Sequence, residues 1–504
     1  MRFTRPSFRC ITLLAAAFAL TGAISADVSC PPVFGDHMVL QRDKPVAVWG
    51  TADAGESIAV EFDDHSTTTA AAADGRWAVH LDPLAASATP RTLTVRGRNT
   101  LTYSDVLVGD VWLCSGQSNM EKPLGPRKGQ RPTDDSEAEI ASAEHPLLRL
   151  YQVPQGGRPT EKIASLRWVA CTPETIVGTQ FSAAGYFFGR EIQRELGVPV
   201  GLIHASYGGT MIEAWMPPEA FASSPKLAPL RDRRYFAWVE GVQATELHQS
   251  MIAPLVPFTL RGFLWYQGEA NCMDADDAIY AAKLGALITS WRTLFRDETA
   301  PFYFAQLAPF NYSAWEKFQK WLTPEALPLF WESQARALAV PNTALVVTTD
   351  LAGDARDIHP TNKRDVGLRF ARLALWRTYG REPDFPGFAQ FVSSESLDGG
   401  RIRVRLKNTG GSLHSRDGQP LTHFAVAGRD KAFKPAHAAI DGDTIIVSSP
   451  EVPAPLAVRF GWHETANPNL VNAAGLPVVP FRTDSWRVQI ERPKVDTAAP
   501  APSS

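Results

Sequence analysis

The segment Leu113-Cys114-Ser115-Gly116-Gln117-Ser118-Asn119-Met120 puts a serine two residues beyond a glycine, just after the apolar run Val106 to Trp112. The run reads as a buried strand, and the stretch that follows is polar and rich in Gly, Pro and Lys. A glycine at that point lets the chain turn sharply and leaves room for a substrate, which brings the Ser118 hydroxyl to the mouth of a sheet. Ser115, the competing serine, falls at the strand end before the turn and reads as structural. Three further motifs keep it company: Ser206-Tyr207-Gly208-Gly209-Thr210, Trp265-Tyr266-Gln267-Gly268-Glu269 and Asp357-Ile358-His359-Pro360. Together they hold the parts that ester hydrolysis by serine requires: a hydroxyl, a base, an orienter for the base and donors for the oxyanion.

Of the 11 histidines, His359 is the preferred base, because it follows the last strand of an α/β zone in a polar loop. His204 sits inside an apolar strand and reads as a core group; the others lie outside the four motifs. An ordinary imidazole base predicts a loss of activity below about pH 6. Asp357 is the first choice of orienter, with Asp350, Asp354 or a backbone carbonyl as alternatives. For the oxyanion, the Ser118 amide joins Gly208 and Gly209, whose N–H groups are free of side-chain obstruction, while Gln267 or Asn271 can donate a side-chain amide. Gln117, Glu269 and Trp215 are candidates for holding substrate. Trp112, Tyr207, Trp265 and Tyr266 also crowd the motif ends, where aromatic faces suit sugar rings.

The elements that must position these groups fall into three zones. Residues 27–105 alternate with period two at Ile58-Val60-Phe62, Val79-Leu81 and Leu93-Val95, between turn signals, and predict a small antiparallel sandwich. Residues 106–384 switch to strand–helix alternation, with strands expected at Val106–Leu113, Pro199–Ala205, Arg261–Tyr266, Pro301–Leu307 and Thr343–Thr348. Ser182 caps a helix running to Leu196. A second carries Tyr280, Leu284, Leu287, Trp291 and Leu294, and a third follows Asn362. Buried strands alternating with amphipathic helices predict a parallel sheet covered on both faces, with ligands beyond the strands' carboxyl ends. All four motifs fall at those ends. Residues 385–492 return to all-β texture, and 493–504 read as a disordered tail.

With 504 residues, the chain is expected to form several domains. A formal charge of −3 points to neither nucleic acid nor an anionic membrane. Residues 1–26 read as a signal peptide: Arg2, Arg5 and Arg9 precede an apolar stretch from Leu13 to Gly22, and small residues follow. The mature protein is therefore expected outside the cytoplasm, periplasmic or extracellular, and free of the membrane. Cys30, Cys114, Cys171 and Cys272 then remain, and sequence ranks no disulfide pairing among them over buried thiols. No ligand spacing suggests a metal, and no organic cofactor is expected. The oligomeric state is open.

The strings LCSGQSNM, SYGGTMIEAW, LWYQGEAN and DIHPTNK resemble, in order, the spaced blocks of the sialate O-acetylesterase family of SGNH (GDSL-like) hydrolases. The flanks FGDHMVLQRDKPVAVWG and VRFGWHETANPNLVNAAGLPVVPFRTD resemble that family's terminal β regions, so the likeness spans almost the whole mature chain. It implies a three-layer SGNH domain between N- and C-terminal β domains, with Ser118 as nucleophile, His359 as base and Gly209 as oxyanion donor. With the signal peptide, it leads to the expectation of an exported serine esterase that deacetylates carbohydrates through an acetyl-enzyme. Two departures matter. Where the wider pattern has Gly-x-Asn, this chain has Gly268-Glu269-Ala270, so Gln267 or Asn271 must stand in. The Asp-x-x-His spacing is Asp-x-His here, with Arg356 where the aspartate would fall. Acetylated plant-wall xylan or xyloglucan is the alternative substrate. A non-catalytic sugar-binding protein and a lipase are rivals, although the polar stretch Lys122–Ser136 offers no apolar lid.

Overall fold

The computed structural model describes residues 27–155, 167–232, 242–316, 321–382 and 384–488. The expected signal peptide and C-terminal tail lie outside them. The organising element is strand β1, Thr100–Gly116, whose 17 residues change character halfway. Its first half alternates between exposed and partly buried positions, and from Val106 every residue is buried. The first half pairs antiparallel with Ser87–Arg96, and the second lies between two parallel strands, covered on both faces. The change of texture near residue 105 is therefore a change of neighbours along one strand.

The α/β sheet comprises β1, β2 (His145–Gln152), β3 (Trp168–Cys171), β4 (Val200–Ser206), β5 (Gly262–Tyr266), β6 (Phe302–Ala305) and β7 (Thr343–Val346), in the order β7-β6-β5-β1-β4-β2-β3. All neighbours are parallel except β3, which runs antiparallel at the edge. The expectation omitted β2 and β3. Strand β2 holds Pro146 and Arg149, polar punctuation in sequence, but Arg149 is buried against the Asp105 carboxylate at 2.6 Å.

Helices cover both faces. Ser182 Oγ accepts the Gly185 N–H at 3.0 Å and starts the helix Ala183–Leu196, whose Phe187, Phe188 and Ile192 are fully buried. Each such side chain contributes about 1.5–3 kcal/mol of burial. Phe188 packs on Trp112, which shares its face with Gly262. Phe263 and Trp265, one residue out of phase, pack on Trp291 of the helix Asp277–Leu294 on the opposite face. The helices Arg364–Arg377 and Ala326–Arg336 complete the two layers, packing on Ala183–Leu196 and Asp277–Leu294 respectively.

Two β regions flank this three-layer domain. The N-terminal one includes the expected strands as Ser57–Phe62, Arg76–Leu81 and Ser87–Arg96. The C-terminal one has two four-stranded antiparallel sheets around Val404, Val426, Val447 and Phe460. Ion pairs Arg482–Glu332 and Arg459–Glu325 fasten it to the helix Ala326–Arg336 and the residue preceding it.

Candidate active site

Strand β1 ends in a turn that only glycine fits. Gly116 has φ +140°, and a Cβ there would lie 2.1 Å from the Tyr266 carbonyl oxygen. That close approach lets Gln117 N–H donate to the same oxygen at 2.9 Å, locking the turn to the end of β5. The Gln117 side chain turns inward, where Oε1 accepts from Gln267 Nε2 and Gly268 N–H, each at 3.1 Å. Ser118 opens the short helix Ser118–Glu121 and is partly exposed, whereas Gln117, Asn119 and Met120 are buried. Ser115 is fully buried and its hydroxyl has no partner among the described residues.

The turn after β4 lies against Ser118: a Cβ on Gly208 would come 3.1 Å from Ser118 Cβ. Its two glycines differ in what their amides do. Gly208 N–H donates to Glu121 Oε2 at 2.5 Å, and Glu121 Oε1 accepts from Arg127 and Gln155. The N–H groups of Ser118 and Gly209 find no acceptor among the described residues. These two backbone amides are the donors left for a developing oxyanion.

His359 stands in the loop between β7 and the helix Arg364–Arg377. The residues beside it and beside Ser118 are in direct contact, since Asn119 Nδ2 donates to the Ile358 carbonyl at 3.0 Å. Burial, then Lys363 and Lys122, push the imidazole down to about 4 against the opposing pull of Asp357. A ring held at about 4 is a neutral acceptor at neutral pH, and it places the expected acid loss below pH 6.

The aspartates of this loop make their hydrogen bonds away from the ring. Asp357 Oδ1 accepts the backbone N–H of His359 at 2.9 Å, and Oδ2 pairs with Arg131 at 2.8 Å. Asp350 makes a two-pronged pair with Arg369 at 2.7 and 2.6 Å, and Asp354 engages Arg356 in the same way. A two-residue spacing favours an Asx-type bond to the backbone over a reach to Nδ1.

Several other expectations change for one reason: the groups are already spent on the protein. Gln267 is fully buried, with Nε2 donating to Gln117, Thr210 O and Asn271 and Oε1 accepting from Tyr280. Asn271, equally buried, donates to Glu213 and Asp276. Neither amide has an N–H to offer an oxyanion. Gln117 Oε1 is taken as well, by Gln267 and Gly268. Trp215 is wholly buried with its indole N–H on Thr210 Oγ1, and Trp112, Tyr207, Trp265 and Tyr266 are buried as well, so none offers a face to a sugar. Glu269 is buried, accepts from Asn119, and is pushed up by burial; its Oε2 has no partner among the described residues. His204 is a core group, with its ring held by Gln152 and Ser206 and pushed down by burial to about 3. Cys30, Cys114, Cys171 and Cys272 are free thiols.

Sequence reasoning missed Glu121, Lys122, Asn119 and Lys363. All four lie inside or beside the quoted motif strings, but no rule of spacing singles them out. Open grooves of ≈ 370, 530 and 610 Å³ lie elsewhere, near Lys44, Pro257 and Arg296. The second is lined by Arg261, Pro301 and Asn342, at the amino ends of β5, β6 and β7. Ligands of open parallel sheets bind at the other edge, where Ser118 lies.

Residues 108–375 match the family described as carbohydrate esterase, sialic acid-specific acetylesterase. The sialate O-acetylesterase of Homo sapiens is 30% identical over 386 residues, covering 69% of this chain and 70% of the human protein. That of Rattus norvegicus is 29% identical over 409 residues, covering 69% and 73%. The crystal structure of a carbohydrate acetylesterase from Xanthomonas citri superposes with a TM-score of 0.79 at 38% identity, covering 91% of this chain and 100% of that one. With its glycine turn, its serine at the carboxyl edge and its β flanks, this chain belongs to the sialic acid-specific carbohydrate acetylesterase family and is a carboxylic ester hydrolase.

Proposed function

We propose that the protein is an exported esterase that removes O-acetyl groups from sugars through an acetyl-enzyme on Ser118. The observation that carries this reading is the meeting of the two loops: Asn119 is bonded to Ile358, so the hydroxyl and the imidazole project from adjacent, mutually fixed residues. In the first step Ser118 Oγ attacks the acetyl carbonyl and His359 takes its proton. The oxyanion forms towards the N–H groups of Ser118 and Gly209. The sugar alcohol leaves with the proton from the imidazolium. Water, deprotonated by His359, then attacks the acetyl-serine and releases acetate. The close wall around Ser118, with Gly208 against its Cβ, favours a short acyl group.

Sialic acid esters are the first substrates to try, because the curated mammalian relatives carry that name; acetylated xylan and xyloglucan come next. Export rests on Arg2, Arg5, Arg9 and the apolar run behind them, and cell fractionation with N-terminal sequencing of the mature protein tests it. The catalytic assignment is tested by acetate release from the three classes of acetylated glycan. Ser118→Ala should cut turnover by ~10⁴-fold or more while the fold persists. Wild-type enzyme quenched during turnover should carry an acetyl group on the Ser118 peptide. A Ser118→Ala variant that retains more than about a tenth of the rate, with Ser115→Ala inactive, transfers the role to Ser115.

A further inference from the structure

Among the described residues no carboxylate is hydrogen-bonded to the His359 imidazole: Asp350 and Asp354 pair with arginines, and Asp357 holds the His359 backbone N–H and Arg131. A base that accepts a proton from serine must still be held within a fraction of an ångström of it. What holds it is visible in the backbone that carries the ring. The peptide group joining Ile358 to His359 is gripped on both sides: its carbonyl accepts from Asn119 Nδ2 at 3.0 Å, and its N–H donates to Asp357 Oδ1 at 2.9 Å.

Asn119 does more than grip one peptide. Its Oδ1 accepts from Lys363 Nζ at 2.7 Å, and its Nδ2 also donates to the buried Glu269. One amide therefore reaches residues 358 and 363, which bracket His359, and also the loop after β5. Asn119 is buried, and both its side-chain nitrogen and its side-chain oxygen are engaged. It is joined by a single peptide bond to Ser118.

We propose that Asn119 is a positioning residue that aligns His359 with Ser118 by bracketing the histidine loop, in place of a carboxylate on the imidazole. The proposal rests on the reading of Ser118 and His359 as nucleophile and base. In it, Lys363 supplies the far end of the bracket and Glu269 anchors the amide from the third loop. The charged groups facing the imidazole are Lys363 from its own loop, Lys122 and Arg127 from the segment after Ser118, and Asp357.

The test is a double-mutant cycle on acetate release, using the whole mature protein with circular dichroism as a check on folding. Asn119→Asp keeps an acceptor for Lys363 but gives up the bond to the Ile358 carbonyl. Asn119→Ser shortens the bracket without adding charge. Each should lower kcat by ~10- to 100-fold with KM within ~3-fold, since misplacement of a catalytic group by about an ångström costs that much. In a His359→Ala background the same substitutions should cost less than ~2-fold more, because a residue that works only through the histidine has nothing left to align. Equal losses in both backgrounds overturn the proposal, since Asn119 would then act on Ser118 or on the fold. Unchanged kcat in both Asn119 variants overturns it too. Lys363→Met runs in the same cycle and decides the matter if neither Asn119 variant folds. If His359→Ala alone stays active, the assignment of the base fails, a separate result from the failure of the bracket.

Discussion

The sharpest consequence of the site concerns acid. Burial beside Lys363 and Lys122 holds His359 at about 4 in place of the ordinary 6.5. The difference corresponds to about 3 kcal/mol of preference for the neutral ring. An imidazole titrating at 6.5 would be only ~3% free base at pH 5, whereas one titrating at about 4 would be ~90% free base. The rate kcat/KM at pH 5 should therefore stay within about a tenth of its neutral value and fall by half only near pH 4. Acetate release, measured as initial rates from pH 3.5 to 8, checks this without relying on a chromophore that itself titrates. Lys363→Met should move the acid limb upward, because it removes the cation that most opposes protonation. The sign for stability runs the same way. Below pH 6.5 the unfolded chain binds a proton that folded His359 refuses, so the fold weakens as pH falls towards 4 and must be monitored alongside the rates. Half-loss of activity between pH 6 and 6.5 in the folded wild type would refute the argument, as would an acid limb that ignores Lys363→Met.

Three further outcomes follow from the same geometry. Asp357→Asn should cost less than ~10-fold in kcat, because the amide oxygen can still accept the His359 backbone N–H; a loss of ~10²- to 10⁴-fold would mean that the carboxylate does orient the ring during turnover. Lys283 bridges the buried carboxylates Glu213 and Asp276, whose attraction overcomes the cost of burial and keeps the ammonium charged. Lys283→Met should destabilise the protein by ~3–5 kcal/mol in urea unfolding, and a loss below ~1 kcal/mol would show the cluster to be open to water. For acyl length, kcat/KM on p-nitrophenyl butyrate should be at least ~10-fold below that on the acetate, with octanoate nearly inert, since overpacking the wall around Ser118 costs ~1–3 kcal/mol. A series rising with chain length would favour a lipase.

What the sequence determined by itself was the architecture and the sheet edge at which its four motifs gather. Period-two and strand–helix textures are local properties, and Ser182 caps its helix using atoms three residues away. Parallel strands share a carboxyl edge, so motifs far apart in sequence had to converge there once each was known to follow a strand. Tertiary structure decided everything that depends on whether a group is already taken. Arg149 makes a buried strand only because Asp105, 44 residues distant, neutralises it. Gln267 and Asn271 read as free donors until Gln117, Thr210, Glu213 and Asp276 are found holding their hydrogens. Gly208 and Gly209 are equivalent in sequence, and Glu121 alone tells them apart by binding one amide. The titration of His359 depends on burial and on Lys122, more than 200 residues earlier. A residue's type limits which bonds it can make, but competition among neighbours brought together by folding decides which it has left for a substrate.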